Sequence, residues 1–286
     1  MDLSIAGRRL WLLCGEEGLP APWIESFSEF IAHDGLAPGI ASTRLDIHPS
    51  AGWPDEVEGC GVFATAGADG SISSVAVEIP DSSGAFERSE GGYRGRFEID
   101  SEGVFGISAT LQIALALLVE DAGGLLLHAS GVLRDGFVWL FCGPSGAGKT
   151  TIATELAERG ALFSADRVVV ELDGSGRLVA ASTPFGDKPG ERSVPMTAPV
   201  AGIAFISQAV RPRISPATPF EVAKKLFRES RWYSSDTAAA QRTLDNIDRI
   251  VQTGLCCHME FSKDTGFWAH LDAWRAARSG GGTAAR

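Results

Sequence analysis

The sequence predicts a mixed α/β fold, α+β overall, in which a small N-terminal region precedes a larger domain built around a glycine-rich loop. An apolar segment, "FVWLFC", runs directly into "GPSGAGKT", and that motif opens a helix-like stretch, "KTTIATELAERG". Short strand-like segments precede and follow the motif, and the final third has helical apolar spacing. We expect an α+β region over residues 1–108, the main domain over 109–278 and a disordered tail over 279–286.

The N-terminal region combines one amphipathic helix with strands. "PWIESFSEFIAHDG" places Trp23, Ile24, Phe27, Phe30 and Ile31 on one helical face. "SSVAVEI" and "YRGRFEI" have the pattern of strands. "GWPDEVEGCG" and "PDSSGAFERSEGG" are rich in Gly, Pro and Ser, and we expect both to be loops.

A buried helix and a hairpin connect this region to the motif. "SATLQIALALLVEDAGG" is mostly apolar and ends at two glycines, which is typical of a buried helix. "LLLHASGVL" and "FVWLFC" flank Asp135 and Gly136, a strong signal for a two-residue hairpin turn. The strand before the glycine-rich loop should therefore pair antiparallel with its predecessor.

The chain after the loop should contribute further strands and then helices. We expect strands at "ALFSADRVVVEL", "GRLVAAST" and "VAGIAFIS". Thr218, Pro219 and Glu221 form a capping box that opens the helix "PFEVAKKLFRES". A helix at "AAAQRTLDNIDRIVQ", a strand from Leu255 to Phe261 and a helix at "FWAHLDAWRAA" complete the domain.

Composition excludes several classes of protein. The formal net charge of −11 opposes a polyanion, so we expect no nucleic-acid partner. The longest apolar run, "LQIALALLV", is far shorter than the roughly 20 residues that span a bilayer, so we expect no membrane partner. The five cysteines lack zinc spacing and resemble reduced thiols, which favours a cytoplasmic location.

The motif itself predicts nucleotide binding. "GPSGAGKT" fits the pattern GxxxxGK[ST], in which backbone N–H groups surround phosphate oxygens, the lysine adds a cation and the hydroxyl can ligate Mg²⁺. The helix that follows adds its dipole to the same anion site. The predicted nucleotide-binding residues are Gly143, Pro144, Ser145, Gly146, Ala147, Gly148, Lys149, Thr150 and Thr151.

Residues 110–270 resemble the C-terminal domain of HPr kinase/phosphorylase and its smaller relatives, including serine kinases found with lasso peptides. Those proteins place a histidine on a strand before a hairpin, then the glycine-rich loop, a helix ending in "RG" and a strand with two acids. The features fall here on His128, residues 143–150, Arg159, Gly160, Ala165 and Asp166. "TPFGD" at 183–187 also resembles a loop of these relatives.

The resemblance implies a P-loop kinase domain with the topology shared by HPr kinase and phosphoenolpyruvate carboxykinase. It implies ATP as the donor, Mg²⁺ as the cofactor and a Ser, less often a Thr, of a small protein or peptide as the acceptor. It also implies Asp166 and His128 as catalytic residues, Thr150 and Asp166 as metal ligands, and a homo-oligomer by analogy with hexameric relatives.

The chain departs from the family at the acidic pair, since Ala165 stands where the first acid is expected. Three interpretations follow. Asp166 acts as both metal ligand and base with help from His128, another acid such as Asp187 or Glu191 is the base, or the protein binds nucleotide without transferring phosphate. The last is the alternative function, a regulatory or scaffold protein of the same fold. Lys188 and Arg192 are candidate phosphate clamps, whereas Arg211 and Arg213 are more typical of a solvated loop.

Overall fold

The computed structural model describes residues 1–14, 18–32, 41–50, 61–67, 71–155, 160–186, 193–230, 237–262 and 265–279. The chain divides into two units. The first comprises Met1–Leu126, Thr183–Phe185 and Arg231–Asn246, and the second comprises Leu127–Ser182, Gly186–Ser230 and Ile247–Arg286. The boundary expected between residues 108 and 109 falls inside a helix that lies wholly in the first unit.

The first unit is a seven-stranded sheet with one long helix packed on it. Its strands are β1 Asp2–Ile5, β2 Arg8–Cys14, β3 Ser42–Ser50, β4 Gly61–Ala66, β5 Ile72–Ile79, β6 Ser82–Ser89 and β7 Gly92–Asp100. They lie in the order β1-β2-β3-β7-β6-β5-β4, and β3 runs parallel to both of its neighbours. The helices are α1 Ala21–Ser26 and α2 Phe105–Asp121, and α2 is buried along nearly its whole length, as its apolar sequence predicts.

The helix predicted from Trp23 through Ile31 is shorter than expected. Helix α1 ends at Ser26, a 3₁₀ turn follows at Ser28–Phe30, and Ile31 forms a backbone bridge with Leu3. Trp23, Phe27 and Phe30 are buried, but Ile24 is 43% exposed. The apolar periodicity identified the buried aromatic residues correctly. The backbone of Ile31 pairs with Leu3 of β1 and therefore does not continue a helix.

The prediction of a loop at "PDSSGAFERSEGG" is wrong, because Ser82–Ser89 forms β6 between β5 and β7. The Ser- and Gly-rich composition hid a strand whose Phe86 is fully buried and whose two flanks are both paired. The other predicted loop, residues 52–61, lies almost entirely outside the described residues.

A charged network lies between the end of α2 and the first half of the helix Thr237–Val251. Asp121 pairs with Arg88 at 3.0 Å and with Arg242 at 2.6 Å. Next to it, the Glu120 side chain is almost fully buried. Burial, reinforced by the charge of Asp121, raises the pKa of Glu120 to about 8. The folded unit therefore favours the protonated form of Glu120.

We expect Glu120→Gln to flatten the dependence of stability on pH. A carboxyl whose pKa is higher in the folded state stabilises the protein below its unfolded pKa, and that contribution is lost as pH rises toward about 8. The glutamine variant should therefore lose less stability than the wild type between pH 5 and 9. Urea unfolding across that range measures the effect, with the exposed Glu98→Gln as the control.

The second unit is built around an eight-stranded sheet. Its strands are β8 Leu125–Arg134, whose first two residues belong to the first unit, β9 Phe137–Cys142, β10 Ala161–Ser164, β11 Arg167–Leu172, β12 Leu178–Ser182, β13 Thr197–Gln208, β14 Arg213–Pro216 and β15 Cys256–Phe261. The later helices of the chain are α3 Pro219–Glu229, α4 Thr237–Val251 and α5 Phe267–Ser279, and α4 contributes residues to both units.

Strand pairing in this unit confirms the expected hairpin. Strands β8 and β9 are antiparallel and are joined by Asp135 and Gly136, both at positive φ. Strand β9 then pairs in parallel with β13, which pairs in parallel with β15. The capping box of α3 also forms as predicted. Trp139, Phe141, Phe261 and Trp268 belong to the apolar core under this sheet.

Three local expectations for this unit need correction. "ALFSADRVVVEL" forms two strands, β10 and β11, which are interrupted at Ala165 and Asp166. The stretch after the glycine-rich loop contains a π-helical turn at Thr151–Glu155, and residues 156–159 lie outside the described part. Arg213 begins strand β14, which pairs with β15, so this residue does not lie in a loop.

Among the described residues, no helix combines the length and apolar character needed to cross a bilayer. Cys14, Cys142, Cys256 and Cys257 are free thiols, and Cys60 lies outside the described residues.

Candidate functional site

The glycine-rich loop begins where β9 ends, at the carboxyl edge of the parallel strands. Gly146 and Gly148 have φ values of 77° and 104°, which side chains other than glycine rarely adopt. A Cβ atom on Gly148 would also lie 2.6 Å from Cζ of Phe261 in β15. Backbone geometry and packing therefore both require glycine at this position. In open sheets containing parallel strands, ligands bind at this same edge.

Lys149 is held against the loop that it follows. Its side chain is buried, and its Nζ donates to the carbonyl oxygen of Gly143 at 2.7 Å and to that of Pro144 at 3.3 Å. The loop is further held by Gln208 at the end of β13, whose Nε2 donates to the Gly146 carbonyl at 3.3 Å. A buried ammonium fixed in this way provides the localised positive charge that outer phosphates require.

His128 lies beside the start of the loop because of the hairpin register. Ala129 of β8 is paired with Cys142 of β9, so His128 is the next residue along β8 and Gly143 the next along β9. The local turn at Asp135 and Gly136 thus sets the position of His128 relative to the glycine-rich loop. The structure places these two sequence-predicted features together.

Asp166 lies in the break between β10 and β11, and this break places it next to β8. The Asp166 carbonyl accepts from the Ala129 amide at 3.0 Å, and the Ser130 hydroxyl donates to the Ala165 carbonyl at 2.5 Å. The Asp166 carboxylate then lies 3.0 Å from His128 Nε2 and 2.5 Å from Arg167 Nη1. The two residues predicted to be catalytic therefore form a direct ion pair.

Glu229, which the sequence analysis missed, is the third member of the cluster. Its Oε2 lies 3.4 Å from His128 Nδ1, and its Oε1 accepts from Arg228 at 3.1 Å. Ser230, the next residue, forms a backbone bridge with Leu127, and this contact brings the end of α3 to β8. One signal was available: an acidic side chain in the last helical turn opposes the helix dipole, so its presence there favours a specific partner.

The contacts within this cluster favour the charged forms of His128, Asp166 and Glu229. Hydrogen bonds to Asp166 and then to Glu229 raise the pKa of His128. Burial opposes ionisation of Asp166, but the hydrogen bond from His128 and the charges of Arg167 and Lys149 lower its pKa. Burial likewise opposes ionisation of Glu229, and the hydrogen bonds from His128 and Arg228 lower its pKa. All three shifts favour an imidazolium between two carboxylates.

We expect Glu229→Gln to lower the pKa of His128, because the variant removes one of the two carboxylates that stabilise the imidazolium. The stabilisation that this histidine contributes is present below its unfolded pKa and is lost as pH rises through its folded pKa. An NMR titration of the His128 ring protons measures the change. Glu221→Gln, whose carboxylate lies 3.6 Å from His258, is the matched control. An unchanged His128 pKa in the Glu229 variant would contradict the assignment.

Ala165 lies in a packed position between Ser164 and Asp166. Only 6% of its surface is exposed, Ser164 is fully buried, and the Ala165 carbonyl is engaged by Ser130. A carboxylate at residue 165 would therefore enter a buried environment. Ala165, where the sequence resemblance implies an acid, therefore occupies a position that favours a small apolar side chain.

We expect Ala165→Asp to destabilise the protein by about 3 kcal/mol or more, because an unpaired buried charge is costly. Ala165→Asn has nearly the same shape without the charge and isolates the electrostatic part. Melting temperature and ATP turnover are measured together. A higher rate of ATP turnover than in the wild type, with an unchanged melting temperature, would show that residue 165 faces the reacting groups.

Two residues of this region carry oxygens of the kind that Mg²⁺ binds beside nucleotide phosphates. Mg²⁺ in such sites usually keeps several waters and takes one or two protein oxygens in addition to phosphate. The Thr150 hydroxyl and the Asp166 carboxylate are protein oxygens of the kind it prefers, although His128 and Arg167 each engage one carboxylate oxygen of Asp166. Within the described ranges, no group of three or more His, Cys, Asp or Glu could hold a metal by itself.

Several other predicted residues cannot be placed. Arg159, Asp187, Lys188, Glu191 and Arg192 lie outside the described residues. Every residue of the loop, the histidine cluster and the Ala165 break lies in the second unit.

Comparisons with known proteins give similarities among solved structures only. No protein-family model and no curated protein sequence matches the chain. Among solved structures, the chain is similar to the HPr(Ser) kinase/phosphatase from Coxiella burnetii, with 12% identity and a TM-score of 0.30 over 54% of this chain and 97% of that chain. A similarity at this level does not establish a family.

Proposed function

We propose that the protein is a Mg²⁺-dependent kinase that transfers phosphate from ATP to a Ser hydroxyl of a small protein or peptide. The main support for this proposal is that the glycine-rich loop and the His128–Asp166 pair lie at the same strand ends. The pairing register of β8 and β9 places them there. A donor-binding loop next to a charged carboxylate is the minimum that phosphoryl transfer requires.

In this proposal the loop amides and Lys149 bind the phosphates, and Thr150 and Asp166 hold Mg²⁺. Mg²⁺ held there would supply charge neutralisation at the transferring phosphate. Lys149 also contributes charge near Asp166, since it helps to lower the pKa of that carboxyl. The donor phosphate and Asp166 would therefore lie within electrostatic range of the same ammonium.

The lowered pKa of Asp166 defines its role toward the acceptor. A carboxylate paired with His128 and Arg167 is a weak base, so it acts mainly by accepting a hydrogen bond from the acceptor hydroxyl and orienting it. Phosphoryl transfer through a loose transition state tolerates such a base, because positioning and charge neutralisation supply most of the rate enhancement. Because two carboxylates raise the pKa of His128, this residue acts in the proposal as a cation and not as the proton acceptor.

A second function is favoured by the same ion pairs. Since both oxygens of Asp166 are already engaged, the cluster could serve only to hold β8, β11 and α3 together in a nucleotide-binding regulatory or scaffold protein. Cytoplasmic location and assembly into a homo-oligomer remain predictions from the sequence.

One assay separates the two functions. The protein is incubated with γ-³²P-ATP, Mg²⁺ and a library of Ser-containing peptides, together with matched peptides that carry Ala for Ser. Label that transfers to Ser peptides alone supports the kinase. ATP binding without label transfer to any peptide, and without ATP hydrolysis, favours the regulatory protein.

A further inference from the structure

The first unit contains a polar cavity that the proposed kinase site does not use. Its volume is about 270 Å³, and it opens on the sheet face formed by β2, β3, β7 and the end of β6. The residues that line it and matter here are Trp11, Ser42, Arg44, Ser89, Glu90 and Arg94. Two arginines, two serines and one glutamate therefore line the cavity, together with Trp11 and Tyr93.

Strand register brings the two arginines together. Arg44 of β3 lies directly opposite Arg94 of β7, and these strands run parallel. Like charges directly opposite each other destabilise a sheet. Among the described residues, neither arginine forms an ion pair, although Arg44 lies over the Trp11 ring at 5.4 Å from its centroid. On its other side Arg94 is paired with Glu87 of β6, so this row of the sheet holds two guanidinium groups and one carboxylate in a chain whose net charge is −11.

The neighbouring row of the sheet adds hydroxyl donors. Ser42 and Ser89 are both paired with Gly92, one from each side. Gly92 has a φ of 157°, and a Cβ atom there would lie 1.8 Å from the Ser42 carbonyl oxygen. Only glycine fits at this point, so no side chain separates the two serines. Across the part of the chain that the structure describes, neither serine hydroxyl has a hydrogen-bond partner.

We propose that this cavity binds a phosphate group. Arginine forks match the oxygens of phosphate in a bidentate manner, and serine hydroxyls complete its coordination. The phosphate would neutralise the opposed pair Arg44 and Arg94 and would occupy the hydroxyls of Ser42 and Ser89. Glu90 limits the affinity, because its carboxylate repels the bound anion. The proposal concerns the first unit and does not depend on phosphoryl transfer by the second.

The test uses full-length protein that carries Lys149→Ala, so that the glycine-rich loop contributes little to phosphate binding. The probes are inorganic phosphate and a phosphoserine peptide with its unphosphorylated counterpart, all at constant ionic strength. The indole N–H resonance of Trp11, assigned with Trp11→Phe, reports binding at the cavity. A saturable shift is expected, and a lower Kd for the phosphopeptide than for inorganic phosphate would identify a phosphorylated chain as the source.

Three variants define the site. Arg94→Ala should raise the Kd by about tenfold or more, because a charged hydrogen-bonded pair is lost. Glu90→Gln should lower the Kd. Arg96→Ala, an exposed arginine on the same strand that does not line the cavity, should leave the Kd unchanged. Arg94→Lys keeps the charge without the fork and should give an intermediate Kd.

Two results would overturn the proposal. One is the absence of a saturable shift of the Trp11 resonance with either phosphate probe. The other is an equal loss of affinity in Arg94→Ala and Arg96→Ala, which would mean that the probe responds to general surface charge. Melting temperatures of all variants establish that the first unit remains folded.

Discussion

Lys149→Ala should weaken the binding of Mg²⁺-ATP by about 100-fold or more, because charged hydrogen bonds to phosphate are among the strongest that a protein makes. The ammonium is already held at the loop by the carbonyl oxygens of Gly143 and Pro144, so little ordering is required when phosphate binds. Isothermal titration calorimetry with Mg²⁺-ATP measures the loss directly.

The control for this variant is Lys224→Ala, which removes an exposed lysine of α3. It should bind Mg²⁺-ATP as the wild type does. Because Lys149 also lowers the pKa of Asp166, the alanine variant should raise that pKa, which an NMR titration of the carboxyl can detect. Equal affinity of wild type and Lys149→Ala for the nucleotide would exclude the glycine-rich loop as the phosphate site.

Asp166→Asn should reduce phosphoryl transfer by roughly 10²- to 10⁴-fold, the range that a positioned acid or base usually contributes. The amide is almost the same size, but it can no longer stabilise the His128 imidazolium or bind Mg²⁺ strongly. ATP binding should persist, since the loop is unchanged. Single-turnover transfer from labelled ATP measures the effect.

Asp135→Asn is the matched control, because it makes the same chemical change at the hairpin turn. Asparagine is well suited to the positive φ of that position, so the fold should be unaffected. The His128 pKa should fall in Asp166→Asn and stay constant in Asp135→Asn. If Asp166→Asn transferred phosphate as fast as the wild type, another acid would have the catalytic role.

Local chemistry explains the parts of this fold that the sequence predicted well. The hairpin at Asp135 and Gly136 and the capping box at Thr218 each depend on a few neighbouring residues, and both are present in the structure. The glycine-rich motif is local in the same sense. Since the hairpin register also sets His128 beside Gly143, part of the candidate site could be predicted before any tertiary contact was known.

The parts that were missed depend on partners distant in sequence. Strand β6 has the composition of a loop and becomes a strand because β5 and β7 pair with it on both sides. Glu229 follows an ordinary amphipathic helix pattern and meets His128 only because Ser230 bridges to Leu127. The opposition of Arg44 and Arg94 requires β3 and β7 to lie side by side.

The sequence by itself thus determined the glycine-rich loop, the strand before it and the hairpin on which His128 lies, because short-range turn and backbone preferences decide these features. Tertiary structure alone decided that His128 lies between Asp166 and Glu229, that Ala165 is buried, and that two arginines share a cavity. Those outcomes depend on strand order and on where a helix ends against the sheet, and no local propensity encodes either.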